Sequence, residues 1–240
     1  MALARWHTDF ARWEKAPGSP VCEVDLDVDQ MLHERLSALL PDAGWLSEET
    51  ADKPDRLQRR RVWVVDPIDG TRDYIRGRAG WCVSVALVED GRPVIGVLDA
   101  PARGEVWRAL AGQGATLNGT AIAAGGRDEL PGARVPVDAL PKADRDLVAV
   151  EKPNSIALRI AMVAADRADL VATLRWGNEW DIAAAVLVAE EAGARVSDAL
   201  GLPLLFNKPD PRAYGVLTST AGIHDAAVQR LSVRARAAIG

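Results

Sequence analysis

The sequence is poor in the residues that metal-stapled and disulfide-stapled proteins depend on. Two cysteines, Cys22 and Cys82, occur in 240 residues, with no CxxC spacing. That excludes a disulfide framework and a zinc ribbon and fits a reducing compartment, so a cytoplasmic location is expected. The three histidines, His7, His33 and His224, are scattered and form no HExxH-like cluster, which excludes a His-rich zinc or haem site. A bound metal must then draw on carboxylate and carbonyl oxygens, which suit hard cations such as Mg²⁺ or Mn²⁺. There is no surplus of positive charge: the net charge is −5, so nucleic acid is not an expected partner. No apolar run approaches the ~18–20 residues of a membrane span. Residues 1–10 carry Arg5, His7 and Asp9 and no apolar h-region, so no ordinary secretory signal is expected either. Phe and Tyr occur only twice each, against eight Trp. Trp45, Trp63, Trp81, Trp107 and Trp176 are expected in the core or an interface, with base stacking as the functional alternative for Trp45 and Trp176.

What is present is an ordinary globular balance, 48% hydrophobic and 26% charged residues. The length suits one large domain or two fused halves and can bury a core unaided. Spacing and breakers predict a helix over 3–13 ended by Pro17-Gly18, and another over 26–40 ended by Pro41. The polar stretch 50–61 reads as an exposed loop or lid. Strands follow at 62–65, 82–88, 94–98, 106–110 and 115–117, an α+β pattern up to residue 124. Residues 125–146 read as a seam. Beyond it, strands at 147–150, 170–174 and 215–218 alternate with helices over 155–165, 181–192 and 221–238, an α/β pattern. The expected domain division is therefore 1–124 and 125–240.

The most informative segment is Val64-Val65-Asp66-Pro67-Ile68-Asp69-Gly70-Thr71. An apolar strand runs into a tip with two carboxylates three positions apart. Pro67 stiffens the tip, Gly70 permits a conformation or an approach that a Cβ would block, and the Ile68 carbonyl lies between the acids as a further oxygen donor. Thr71 stands where a helix would begin, so its hydroxyl and neighbouring N–H groups would face an anion. Taken alone, Asp-Pro-x-Asp is as readily a strand-ending turn. Three other acidic sites accompany it: Glu48-Glu49 after Ser47, Asp181 in Asn178-Glu179-Trp180-Asp181, and Asp25 in Val24-Asp25-Leu26-Asp27. Singly, these read as a solvated surface and as helix caps.

Together they resemble the lithium-sensitive, magnesium-dependent phosphomonoesterase family, which includes inositol monophosphatases, 3′(2′),5′-bisphosphate nucleotidases and, more distantly, fructose-1,6-bisphosphatases. DPIDGT stands intact as Asp66–Thr71, and WDxAA as Trp180-Asp181-Ile182-Ala183-Ala184, followed by Glu191-Ala192-Gly193. The segment Gly112-Gln113-Gly114-Ala115-Thr116-Leu117-Asn118-Gly119 also fits, and Ser47 takes the place of the Gly that usually precedes the acidic pair. The resemblance spans about residues 16–224. It implies a layered αβαβα sandwich of the sugar-phosphatase type, with the site between the two halves. Glu48, Asp66 and the Ile68 carbonyl would hold one Mg²⁺, and Asp66, Asp69 and Asp181 a second. A third ion would reach Glu48, and Mn²⁺ would substitute. Gly70 and Thr71 would present N–H groups to the phosphate, and Asp25 beside Thr71 would help orient the attacking water.

The implied reaction is hydrolysis of a small phosphate monoester by metal-activated water, inhibited by Li⁺. Bound cations neutralise the phosphoryl charge and bring water's pKa down. The bacterial bisphosphate nucleotidase branch is the closest in appearance, which makes adenosine 3′,5′-bisphosphate the first substrate expected. Inositol 1-phosphate is the alternative, ahead of histidinol phosphate and fructose 1,6-bisphosphate. Arg159, and Lys208 with Arg212, are candidate contacts to a second phosphate. Their alternatives are an exposed helix residue and a charged turn. The non-enzyme alternative is an inactive phosphate- or metal-binding scaffold. A homodimer is expected from the resemblance.

Overall fold

The computed structural model describes residues 1–239. The chain opens with α1 (Ala2–Arg5), then a hairpin of β1 (Arg12–Ala16) and β2 (Ser19–Cys22). The helix expected over 3–13 is thus corrected to one turn. Every β1 side chain is exposed, so no apolar stripe holds a helix there. Pairing with β2 satisfies the backbone instead, and β2 buries Val21 and Cys22.

The helix α2 (Glu23–Leu39) starts on Cys22 as its N-cap. Its Leu32 and Leu36 pack toward Trp63, Val65 and Leu87. There follows a seven-stranded mixed sheet. Its strands are β3 (Gly44–Ser47), β4 (Arg61–Asp69), β5 (Cys82–Glu89), β6 (Arg92–Ala100), β7 (Glu105–Leu110), β8 (Ala115–Leu117) and β9 (Thr120–Ile122), in that spatial order. β3 and β4 are parallel, and the remaining pairs are antiparallel. β4 is buried from Val62 to Asp69, as a strand covered on both faces must be. Between β4 and β5 the turn α3 (Thr71–Ile75) intervenes.

The second half adds β10 (Arg134–Pro136) parallel to β11 (Val148–Val150), then α4 (Ile156–Ala164) and β12 (Leu170–Ala172). β13 (Trp176–Asn178) leads into α5 (Glu179–Glu191) and β14 (Arg195–Ser197). β15 (Arg212–Tyr214), β16 (Leu217–Ser219) and α6 (His224–Ile239) complete it. β12, β16 and β14 form an antiparallel sheet, and β13 pairs with β15.

The layers run α2, seven-stranded sheet, α4 with α5, three-stranded sheet, α6. This is the mixed α/β sandwich expected. α5 is buried on nearly all sides from Ile182 to Ala189, as a helix between two sheets should be. It presses so close to β6 that a Cβ on Gly96 would stand 2.7 Å from the Ala184 carbonyl oxygen. The Gly112–Gly114 loop docks on the same helix: the N–H groups of Gly112 and Gly114 each donate to Glu191, at 2.7 Å. Those two family motifs therefore build scaffold.

The stretch 50–61 is mostly the exposed loop expected, latched to the body by one side chain. Its Arg56 is buried, pairs with Asp52 at 2.6 Å, and donates to Asn207 Oδ1 and the Lys208 carbonyl. Trp63, Trp81 and Trp107 are core residues as expected. Trp176 is not: it is 53% exposed, with the Arg212 guanidinium 5.2 Å from its ring centre.

Candidate active site

The site forms where β4 stops being regular. Pairing with β5 is continuous to Asp66 opposite Ser84, then shifts register before Asp69 opposite Cys82. Pro67 has no N–H to give the ladder, so the strand bulges there. Asp66 accepts the Ile68 N–H at 3.0 Å. Gly70 then turns the chain at φ +96°, where its missing Cβ would meet the Gly80 carbonyl at 2.7 Å and the Ser155 nitrogen at 3.0 Å. Both the conformation and the space demand glycine.

Thr71 follows as the first residue of α3. Its Oγ1 lies 2.9 Å from the Ile68 carbonyl and 3.2 Å from Asp25 Oδ1. Asp25 is the third residue of α2, and its other oxygen accepts the Cys22 N–H and thiol, each at 2.9 Å. It therefore closes a capping box on a cysteine and still offers one oxygen to Thr71. Burial pushes the Asp25 carboxyl up, against the hydrogen bonds from Cys22 and Thr71.

Asp69 Oδ2 accepts the Ser155 hydroxyl at 2.5 Å and the Ala157 N–H at 2.7 Å. Ser155 caps α4 by accepting the Leu158 N–H at 2.9 Å. Asp181 occupies the third position of α5 and accepts the Asn178 N–H at 3.0 Å. It is a helix-start residue, as its sequence context suggested, and one of its oxygens stays free of that cap.

Ligand oxygens of Glu48, Asp66 and Asp181 lie within 4.8 Å of one another. Burial pushes the Asp66 carboxyl well up, helped by the charges of Glu48, Asp69 and Asp181. Asp69 is raised by burial, and Asp181 by burial and by the Asp69 charge. Carboxylates forced this close in a desolvated place call for compensating cations. A donor set of oxygens alone fits hard divalent ions, so the chemistry of the site matches the metal the sequence pointed to. Ile68 lines the same cavity, and its carbonyl lies 2.9 Å from the Thr71 hydroxyl.

The sequence reading missed several residues that shape this site. Lys15, at the tip of the β1–β2 hairpin, places Nζ 2.9 Å from Glu48 and 2.7 Å from Glu49. Burial still raises Glu49 to about 7 in spite of that lysine. Ser47 accounts for its own departure from glycine. Its hydroxyl is 2.5 Å from Asp29 Oδ1, and Thr50 is 2.5 Å from Oδ2, which pins the acidic pair to α2. Asp29 falls one helical turn after Asp25, a spacing that was visible in the sequence. Arg175 lines the cavity and was not singled out.

The cavity holds about 480 Å³ and is lined by both signs of charge, the carboxylates with Thr71 and also Arg72, Lys152, Arg159 and Arg175. Arg159 is not simply exposed. Its guanidinium donates to the carbonyls of Ser155 (3.2 Å) and Asn154 (2.9 Å) while lining the cavity. Neither Lys208 nor Arg212 lines it, in keeping with the charged-turn alternative. Lys208 neutralises the buried Glu179 at 2.7 Å, and Arg212 pairs with Asp210 at 2.7 Å.

Comparison with known proteins agrees with this arrangement. The model of the inositol monophosphatase family matches residues 1–235. The chain is 30% identical over 230 residues to inositol monophosphatase 2 of Solanum lycopersicum, covering 88% of this chain and 85% of that protein. It is 34% identical over 212 residues to the 3′(2′),5′-bisphosphate nucleotidase CysQ of Aggregatibacter actinomycetemcomitans, covering 81% and 77%. Among solved structures, an inositol monophosphatase of Thermotoga maritima superposes with a TM-score of 0.83 at 28% identity, over 100% of this chain and 93% of that one. With a family match along almost its whole length and the family's acidic motifs gathered in one cavity, the chain belongs to the inositol monophosphatase family of phosphoric monoester hydrolases.

Proposed function

We propose that this enzyme is a Mg²⁺-dependent 3′(2′),5′-bisphosphate nucleotidase, converting adenosine 3′,5′-bisphosphate to AMP and phosphate. The observation that carries the reading is the two-signed cavity. The carboxylate group suits a cation-clamped phosphoryl group, and Arg159 and Arg175, which line the same cavity, suit a second anionic group. An uncharged alcohol such as inositol offers those guanidiniums no opposite charge.

Glu48, Asp66, the Ile68 carbonyl, Asp69 and Asp181 would hold two or three Mg²⁺ ions, with Mn²⁺ as a substitute. When bound, the ions supply charge neutralisation and a lowered pKa for water. The chain's own groups do the positioning. The Thr71 hydroxyl donates to Asp25 Oδ1 and keeps its lone pairs for a water proton, which fixes the direction of attack. Asp25, desolvated and raised in pKa, is suited to receive the proton that Thr71 passes on. The N–H groups of Gly70 and Thr71 face phosphoryl oxygens. Li⁺ inhibits the enzyme, a homodimer works in the cytoplasm, and the partner is a small phosphate ester.

The test is a kcat/KM panel of adenosine 3′,5′-bisphosphate, inositol 1-phosphate, histidinol phosphate and fructose 1,6-bisphosphate at fixed Mg²⁺. The bisphosphate nucleotide should lead. A lead for inositol 1-phosphate would refute the substrate assignment, and no phosphate release from any of them would refute the enzyme reading.

A further inference from the structure

A second cavity of about 440 Å³ adjoins the catalytic one. The two share Arg72, Lys152 and Asn154 as a common wall. In a chain whose net charge is −5, this cavity reverses the sign locally: Arg72, Arg76, Arg78, Arg103 and Lys152 line it, against Asp73, Asp138 and Glu151.

The acids are engaged unevenly. Asp138 pairs with Lys152, and Arg103 is held between Glu105 and Glu151. Asp73 accepts the Asn154 N–H at 3.1 Å. Arg72 donates to the Gly18 carbonyl. Among the described residues, Arg76 and Arg78 have no ion-pair partner within 4.0 Å. Arg72, Arg76 and Arg78 are exposed and bring three positive charges to the lining of one cavity, where a bound anion would offset their mutual repulsion. Each offers a planar fork of N–H donors that matches a tetrahedral oxyanion.

We propose that this cavity is a second oxyanion site, separate from the metal-binding carboxylates, in which Arg72, Arg76 and Arg78 receive a phosphate- or sulfate-class group. The group is either the substrate's second phosphate, seated here in place of Arg159 and Arg175, or free inorganic phosphate. Only the first of these sources rests on the phosphatase reading above.

The decisive measurement is a titration of the full-length protein with inorganic phosphate in EDTA, by calorimetry or ³¹P line broadening. Without divalent ions the catalytic carboxylates repel phosphate, so binding reports the neighbouring cavity. The wild type should bind, and Arg76→Gln/Arg78→Gln should weaken that affinity about tenfold or more. Arg78→Gln alone, should the double variant melt early, should give an intermediate loss. A wild type that binds no phosphate, or variants that bind as tightly as the wild type, would overturn the site.

Steady-state assays with Mg²⁺ then separate the sources. They compare kcat/KM for adenosine 3′,5′-bisphosphate with that for β-glycerophosphate. A fall in this ratio in the double variant assigns the site to a group on the substrate. A constant ratio with weakened inhibition by free phosphate assigns it to free phosphate. If the wild type hydrolyses neither ester, the nucleotidase reading fails while the EDTA titration still decides the site.

Discussion

The Ser155 hydroxyl lies 2.5 Å from Asp69 Oδ2, across 86 positions of sequence. One side chain thereby caps α4 and holds an acidic residue of the catalytic cavity. The stability of a helix in the second half and the geometry of a carboxylate in the first are linked through a single oxygen.

Ser155→Ala should therefore do two things at once. Loss of the cap and of a buried hydrogen bond should cost about 1–2 kcal/mol, read as a lower Tm. The bond from Ser155 opposes the effect of burial on Asp69, so its loss raises that carboxyl further. The acid limb of the kcat/KM profile should move to higher pH. A lower Tm with an unmoved profile would leave Ser155 a cap only.

Asp181→Asn keeps the shape of the side chain and removes one charge from the site. Turnover should fall by at least about 100-fold, the order seen when groups around a metal are altered. Without metal, the variant should melt higher than the wild type, because the cost of burying a carboxyl and its repulsion from Asp69 are both gone. Circular dichroism with and without Mg²⁺, alongside phosphate release, measures both. Full activity would remove Asp181 from the site.

The metal-free enzyme should lose stability as pH rises. Glu49 stands at about 7 in the folded chain against an ordinary 4.5, and Asp66 and Asp181 are raised as well. Between those values the folded state binds more protons than the unfolded one, so unfolding free energy falls with increasing pH. Melting in EDTA from pH 4.5 to 7 should show the decline, with its window set by Glu49. Mg²⁺ should flatten it by binding the ionised forms. A Tm that rises with pH in EDTA would contradict the assignment.

Lys15 contributes a tethered cation to the same carboxylates. Burial acts to lower its pKa, but the charges and hydrogen bonds of Glu48 and Glu49 outweigh that and raise it. Lys15→Gln should lower the metal-free Tm, by the equivalent of less than about 1 kcal/mol since the pair is partly exposed. It should also enlarge the gain in Tm on adding Mg²⁺, because the ion no longer competes with an ammonium for Glu48. Equal gains in variant and wild type would show that the lysine and the ion do not compete.

The residues that gather in the site were legible because their chemistry is dense and local. Asp66, Asp69, Gly70 and Thr71 sit in six consecutive positions, and Asp181 follows a tryptophan at the start of a strongly apolar segment. The hairpin from Arg12 to Cys22 was missed because β1 is exposed throughout and has no alternation of its own. The short strands β13, β14 and β15 have three residues each, too few to show a period. Lys208 and Arg212 stayed open between a phosphate contact and a charged turn because a loop sequence does not say whether a cation faces a ligand or, like Lys208, a buried Glu179.

By itself the sequence determined the layered α/β pattern, the acidic chemistry and the family, since apolar periodicity and contiguous motifs depend on near neighbours along the chain. The tertiary structure decided which charges face one another. It set Lys15 on Glu48, Ser155 on Asp69 and Arg159 in the same cavity as Asp66. Such pairings arise from packing between segments far apart in the chain, and Coulomb energy depends on distance in space and on the local dielectric.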